Sequence, residues 1–118
     1  MAGGISVHVI DVSRAVPATG MAVRIFSIDA QHRLLAQGRL DASGVLQHPI
    51  AQGEGVSKSM YQAEFEIGEY YRSQGFELPD PAFLETALFR FGIADAQAHY
   101  HLPLKMTPWG FSLFRGGA

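Results

Sequence analysis

Residues 59–67, SMYQAEFEI, decide the fold class. Tyr61, Ala63, Phe65 and Ile67 alternate with Gln62, Glu64 and Glu66, so apolar and polar side chains fall on opposite sides with period two. That period belongs to a half-buried strand and not to a helix, because successive side chains of a strand point to opposite faces.

Outward from this stretch the same pattern recurs. Upstream, ISVHVID (5–11) sets Ile5, Val7 and Val9 against Ser6, His8 and Ile10, and AVRIFSI (22–28) alternates again. LLAQGRL (34–40) leads into DASG (41–44), a turn tetrad with Asp first and Gly last. VLQHPI (45–50) is expected to be the return strand, with Val45 and Gln47 on one face and Leu46, His48 and Ile50 on the other, so that Gln47 and His48 do not share a cavity. Downstream, GEYYRSQGF (68–76) is the single helical candidate, about two turns long and closed by Gly75. The prolines of LPDPAF make a loop. FLETALFRFGI (83–93) follows as a strand carrying Phe83, Phe89 and Phe91 on one face, and AHYHLPL (98–104) and WGFSLF (109–114) complete the set. Short strands at regular spacing with one short helix imply an all-β, antiparallel two-sheet sandwich spanning 1–118 as one domain.

Composition narrows the function. The 118 residues suffice for a core without staples, and the absence of cysteine removes disulfides, thiolate metal ligands and a cysteine nucleophile. Nine Lys+Arg against eleven Asp+Glu give a formal charge of −2 without any basic run, which argues against nucleic acid as a partner. The start, MAGGISVHVIDV, lacks the features of a signal peptide, and no apolar run approaches bilayer length. The expectation is a soluble, cytoplasmic protein with no membrane partner.

His99 and His101 occupy one face of their strand, and His8 lies mid-strand on the more polar face of the first. Three imidazoles without cysteine admit a histidine metal site, an acid/base pair, or residues that merely hydrogen-bond a carbonyl or cap a loop. No carboxylate stands at a spacing that clearly completes a metal site, and a zinc site would need His8, His99 and His101 on one cavity wall. His32 sits in a polar turn. The tail FSLFRGGA is the anomaly, since chain ends are ordinarily polar and frayed. Its glycines permit close backbone approach and Arg115 supplies a planar cationic fork.

Three motifs, SVHVID, HYHLPL and TPWGFSLFRGG, resemble the transthyretin-like 5-hydroxyisourate hydrolases, and the strand order, the helix and the DASG turn extend the resemblance over nearly the whole chain. It implies a two-sheet sandwich assembled as a homotetramer, a dimer of dimers, with small-molecule sites in a channel between subunits. It implies hydrolysis of the cyclic amide of a purine-derived substrate, with no metal or cofactor and with His8 and His101 matching the two family histidines; Arg115 is read as stabilising oxyanion charge in place of the absent arginine, and His99 as structural or as orienting a neighbour. Val45, Gln47, Phe114, Gly116 and Gly117 fall among the substrate-binding positions. Where the family usually has an arginine after the turn glycine, this chain has Val45; where the family tail ends Tyr-Arg-Gly-Ser, it has Phe114, Arg115, Gly116 and Gly117, then Ala118. The lost hydrogen-bonding groups point towards an N-methylated hydroxyisourate as an alternative substrate. A non-catalytic scaffold that holds a small ligand is the competing reading.

Overall fold

The computed structural model describes residues 3–29 and 31–117, leaving Met1, Ala2, Ala30 and Ala118 outside the account. Strands β1 (Ile5–Asp11), β2 (Val16–Pro17), β3 (Ala22–Ser27), β4 (Arg33–Arg39) and β5 (Ser59–Glu66) precede helix α1 (Ile67–Ser73). Strands β6 (Thr86–Ile93), β7 (Tyr100–Thr107) and β8 (Gly110–Leu113) follow it. They form two four-stranded sheets, ordered β2-β1-β7-β8 and β4-β3-β5-β6.

The alternation in the sequence is what closes the sandwich. Ile5, Val7 and Val9 of β1 and Leu102, Leu104 and Met106 of β7 turn inward from one sheet. Val23 and Ile25 of β3 and Tyr61, Ala63 and Phe65 of β5 meet them from the other, and each of these is at most 1% exposed. Burying one aliphatic side chain of this kind contributes about 1.5–3 kcal/mol, so the two stripes dominate the stability. Helix α1 buries Ile67, Tyr70 and Tyr71, the i, i+3, i+4 face that a two-turn helix can offer a sheet edge.

Three features depart from the sequence expectation. The β1–β7 pair is parallel, with Ser6 opposite His101 and His8 opposite Pro103, inside an otherwise antiparallel pairing scheme. The segment 45–50 is not a strand. Val45 makes one isolated bridge to His8, and the backbone then coils into a short 3-10 helix, Pro49–Gln52. Pro49 has no N–H for a ladder and a φ already suited to a helical first turn, while His48 Nδ1 accepts the Ile50 N–H at 3.0 Å as its cap. The strand expected from Phe83 begins at Thr86, so Phe83 lies outside it, 74% exposed and tilted against Trp109 at 6.3 Å.

The turn 41–44 positions the next segment. Gly44 has φ +78, and a Cβ there would stand 2.5 Å from Val9 O, so only glycine lets the chain lie this close along β1. Gly44 O accepts Val9 N–H at 2.9 Å and Val7 O accepts Leu46 N–H at 3.3 Å, which seats Val45 beside His8.

Candidate active site

The outward face of the β1–β7 pair carries Ser6, His8, His101 and Pro103, all half-buried. Ser6 and His101 are directly opposite across the two strands. Ser6 Oγ lies 2.7 Å from His101 Nδ1 and 2.8 Å from His99 Nε2, and His99 Nδ1 lies 3.0 Å from Gly3 O. His8 Nε2 donates to Ser43 O at 3.0 Å, tying the first-strand imidazole to the 41–44 turn. The structure therefore brings His8 and His101 onto one surface, with His99 behind Ser6.

Beside them a concavity of about 570 Å³ is lined by Ser6, Val45, Leu46, Gln47, His48, Pro49, Ala51 and Gln52. Gln47 and His48 share it, contrary to the strand-based expectation, because the 3-10 turn breaks the alternation at Pro49. Asp41 organises its rim. Its Oδ1 accepts the Ser43 and Val45 N–H groups at 2.8 and 3.0 Å, and its Oδ2 accepts Gln47 Nε2 at 2.8 Å. These bonds, with the Gln47 amide first, hold the Asp41 carboxyl below the usual carboxylate range, and His8 lowers it further.

The pKa of His101 is also lowered, first by burial and then by the neighbouring His8 and His99. An imidazole shifted in this direction stays neutral in the mid-pH range, the state a proton acceptor needs.

The tail packs back onto β7. Gly116 bridges His101, donating its N–H to His101 O at 2.8 Å, and a Cβ at Gly116 would meet Pro103 Cγ at 3.0 Å and His101 Cδ2 at 3.3 Å. A methyl there is a tight fit, which Pro103 or His101 would have to relieve by a few tenths of an ångström. Arg115 packs against the start of β7. Its NH2 donates to His99 O at 3.0 Å and its guanidinium carbon sits 4.0 Å from the Tyr100 ring centroid. Tyr100 and His101 are successive strand residues with opposite orientations, so this contact carries the cation away from the imidazole face. Phe114 and Gly117 are exposed, and Gly117 has open space where a Cβ would be.

Ser6 and Asp41 also touch the candidate residues, Ser6 through His101 and Asp41 through Val45 and Gln47. Ser6 was available in the alternation, two residues before His8 on the same face. The contact with His101 was not, because it depends on the parallel register of two strands far apart in sequence. Among the described residues no group of three or more His, Cys, Asp or Glu side chains is arranged to hold a metal ion. Nor, among those residues, is any helix long and apolar enough to cross a membrane.

Known proteins bear on this arrangement. The 5-hydroxyisourate hydrolase of Ralstonia nicotianae is 39% identical over 115 residues, covering 97% of this chain and 98% of that protein. 5-hydroxyisourate hydrolase 2 of Rhizobium meliloti is 40% identical over 116 residues, covering 97% and 96%. The crystal structure of (S)-allantoin synthase matches with a TM-score of 0.90 at 30% identity, covering 98% of this chain and 44% of the synthase chain. Residues 5–116, which span every strand of both sheets and the imidazole face described above, match the HIUase/Transthyretin family, and the chain belongs to it.

Proposed function

We propose that the protein hydrolyses the cyclic amide of 5-hydroxyisourate or of an N-methylated analogue, without a cofactor. The observation that carries this reading is the placement of His8 and His101 on one outward sheet face beside a concavity of about 570 Å³, in a chain whose relatives are named for that activity. His101 takes a proton from water as the water oxygen adds to the ring carbonyl carbon. The C–N bond then breaks, and the departing ring nitrogen takes a proton from an imidazolium. His8 lies within reach of the same face and orients the water or supplies that second proton.

Val45 sets the substrate preference. It is half-buried at the rim of the concavity and presents two methyl groups where the family usually has an arginine. A ring N–H facing Val45 has no partner there, whereas an N-methyl group needs none. One methyl in an apolar pocket discriminates by about 10-fold to 200-fold. The working site is completed in a homotetramer. Strands β6 and β8 are open sheet edges, and Trp109, Phe111 and Phe114 stand 61%, 42% and 50% exposed on or beside β8, apolar surface that a second copy would cover.

The direct test is turnover of freshly generated 5-hydroxyisourate and its trimethylated analogue, followed by loss of ring absorbance against the spontaneous rate. Acceleration of either supports the hydrolase, and a higher kcat/KM for the trimethylated ring supports the role of Val45. Binding without acceleration would favour a ligand-holding scaffold, the reading that Val45 and the turned-away Arg115 support.

A further inference from the structure

We propose that Ser6 and His99 are positioning residues that lock His101 as the tautomer protonated on Nδ1, leaving Nε2 as the lone-pair nitrogen. The inference rests on the hydrolase reading only for its kinetic consequence, since the locked tautomer is a property of the free protein.

The argument follows donors and acceptors along three contacts. Gly3 O is a carbonyl and only accepts, so His99 Nδ1, 3.0 Å away, carries a hydrogen and donates it. A neutral His99 then has a lone pair on Nε2, and the atom 2.8 Å from it is Ser6 Oγ. The single hydroxyl hydrogen of Ser6 must point there, because two lone pairs at that distance repel. Ser6 Oγ has only lone pairs left for its other neighbour, His101 Nδ1 at 2.7 Å. That nitrogen therefore donates, and Nε2 of His101 holds the lone pair. Polarity runs one way, from His101 through Ser6 and His99 to a backbone carbonyl.

The carbonyl at the end is what makes the direction irreversible for neutral imidazoles. Gly3 is buried and its N–H donates to Gln97 O at 3.0 Å, while Gly4 O accepts Tyr100 N–H at 2.8 Å, so the peptide that anchors His99 is itself fixed to the start of β7. A side chain hydrogen-bonded in this way fixes both the tautomer and the ring orientation of the group beyond it. Ser6 touches both His99 and His101, and the effect of Ser6 and His99 on the reaction passes through His101.

The tautomer is read directly in uniformly 15N-labelled protein, from the imidazole nitrogen shifts of His101 above its pKa. Wild type is expected to show a protonated Nδ1 and an unprotonated Nε2. Ser6→Ala should relax His101 towards the Nε2–H form that free histidine favours, and Ser6→Thr, which keeps the hydroxyl on a strand-compatible side chain, should restore the Nδ1–H form. Kinetically, Ser6→Ala and His99→Phe should lower kcat by about 10-fold to 100-fold, the usual cost of losing the outer partner of a working imidazole, with KM little changed and Ser6→Thr recovering most of the loss. A proton on Nε2 of His101 in wild type, or an unaltered spectrum in Ser6→Ala, overturns the proposal. So does a loss that Ser6→Thr fails to rescue although the spectrum is restored, because Ser6 would then act on substrate itself. If the locked tautomer is observed and no variant of the protein turns over either ring, the hydrolase reading fails while the positioning assignment stands.

Discussion

His101→Ala removes the imidazole that the outward face is built around, and His8→Ala removes its neighbour. Loss of a general acid or base typically costs about 100-fold to 10,000-fold in rate, which is the expected fall in kcat for each variant with an unchanged circular-dichroism spectrum. Near-normal turnover in both would end the assignment. Gly116→Ala is the sharper probe of the tail. The added methyl would stand 3.0 Å from Pro103 Cγ and 3.3 Å from His101 Cδ2, so the tail, the Pro103 ring or the imidazole must shift by a few tenths of an ångström. Turnover should drop while the melting temperature stays close to wild type, because both sheets' inward faces are untouched. A pH effect also follows at this residue. His101 is held below its ordinary 6.5, so the unfolded chain binds this proton more readily than the folded one. Stability is therefore complete above that value and falls as the pH drops through 6.5 towards the folded pKa. Thermal melts at about pH 7.5 and about pH 5.5 should fall further for wild type than for His101→Gln.

The element that the site depends on from below is the junction of β1 with α1. Asp11 is fully buried at the end of β1. Its Oδ1 accepts the Tyr71 and Ser13 hydroxyls at 2.6 Å each, and its Oδ2 accepts the Tyr70 hydroxyl at 3.1 Å. Tyr71→Phe leaves a buried carboxylate oxygen short of a partner and should cost about 1–3 kcal/mol in denaturant unfolding. Burial, reinforced by Asp11, pushes the Tyr70 hydroxyl up from 10.0 to about 12, and burial raises Tyr71 as well. Unfolded tyrosines ionise first on the alkaline side, so this contribution is present below pH 10 and is lost as the pH rises beyond it. The double variant Tyr70→Phe, Tyr71→Phe should be less stable at neutral pH yet show a shallower decline above about pH 10. The same strands measure how much was legible in the sequence. Alternation located β1, β3, β5 and β7 and chose the apolar faces of β1 and β5, because a two-residue period is a property of each strand alone. It was silent on the parallel β1–β7 register and misled at 45–50, where His48 and Pro49 build a 3-10 cap. His8 and His101 could be singled out from their motifs. The partnership of Ser6 with both later histidines could not, since it is made only when two distant strands are laid side by side.

For the whole molecule, the expected assembly is a tetramer. The imidazole face, the concavity and the tail all lie on the outside of one sheet, and sedimentation should find a tetramer rather than a monomer. Deleting Arg115 to Ala118 removes the Gly116 bridge to His101 and the Arg115 contact on Tyr100 while sparing every strand. The truncated protein should keep its fold and lose turnover. Full activity in that protein would detach the tail from the site.

The parallel pair has a consequence for the order in which the protein is made. Ser6 and His101, adjacent in space, are 95 residues apart in the chain. At roughly 5–20 residues per second of synthesis, β1 waits about 5 to 19 s for its partner strand to be polymerised. The sheet β4-β3-β5-β6 lies wholly between them in sequence and has every strand it needs before β7 exists. Until then the edge of β1 that will pair with β7 has no ladder partner, and its backbone N–H and C=O groups are an open template for any other strand.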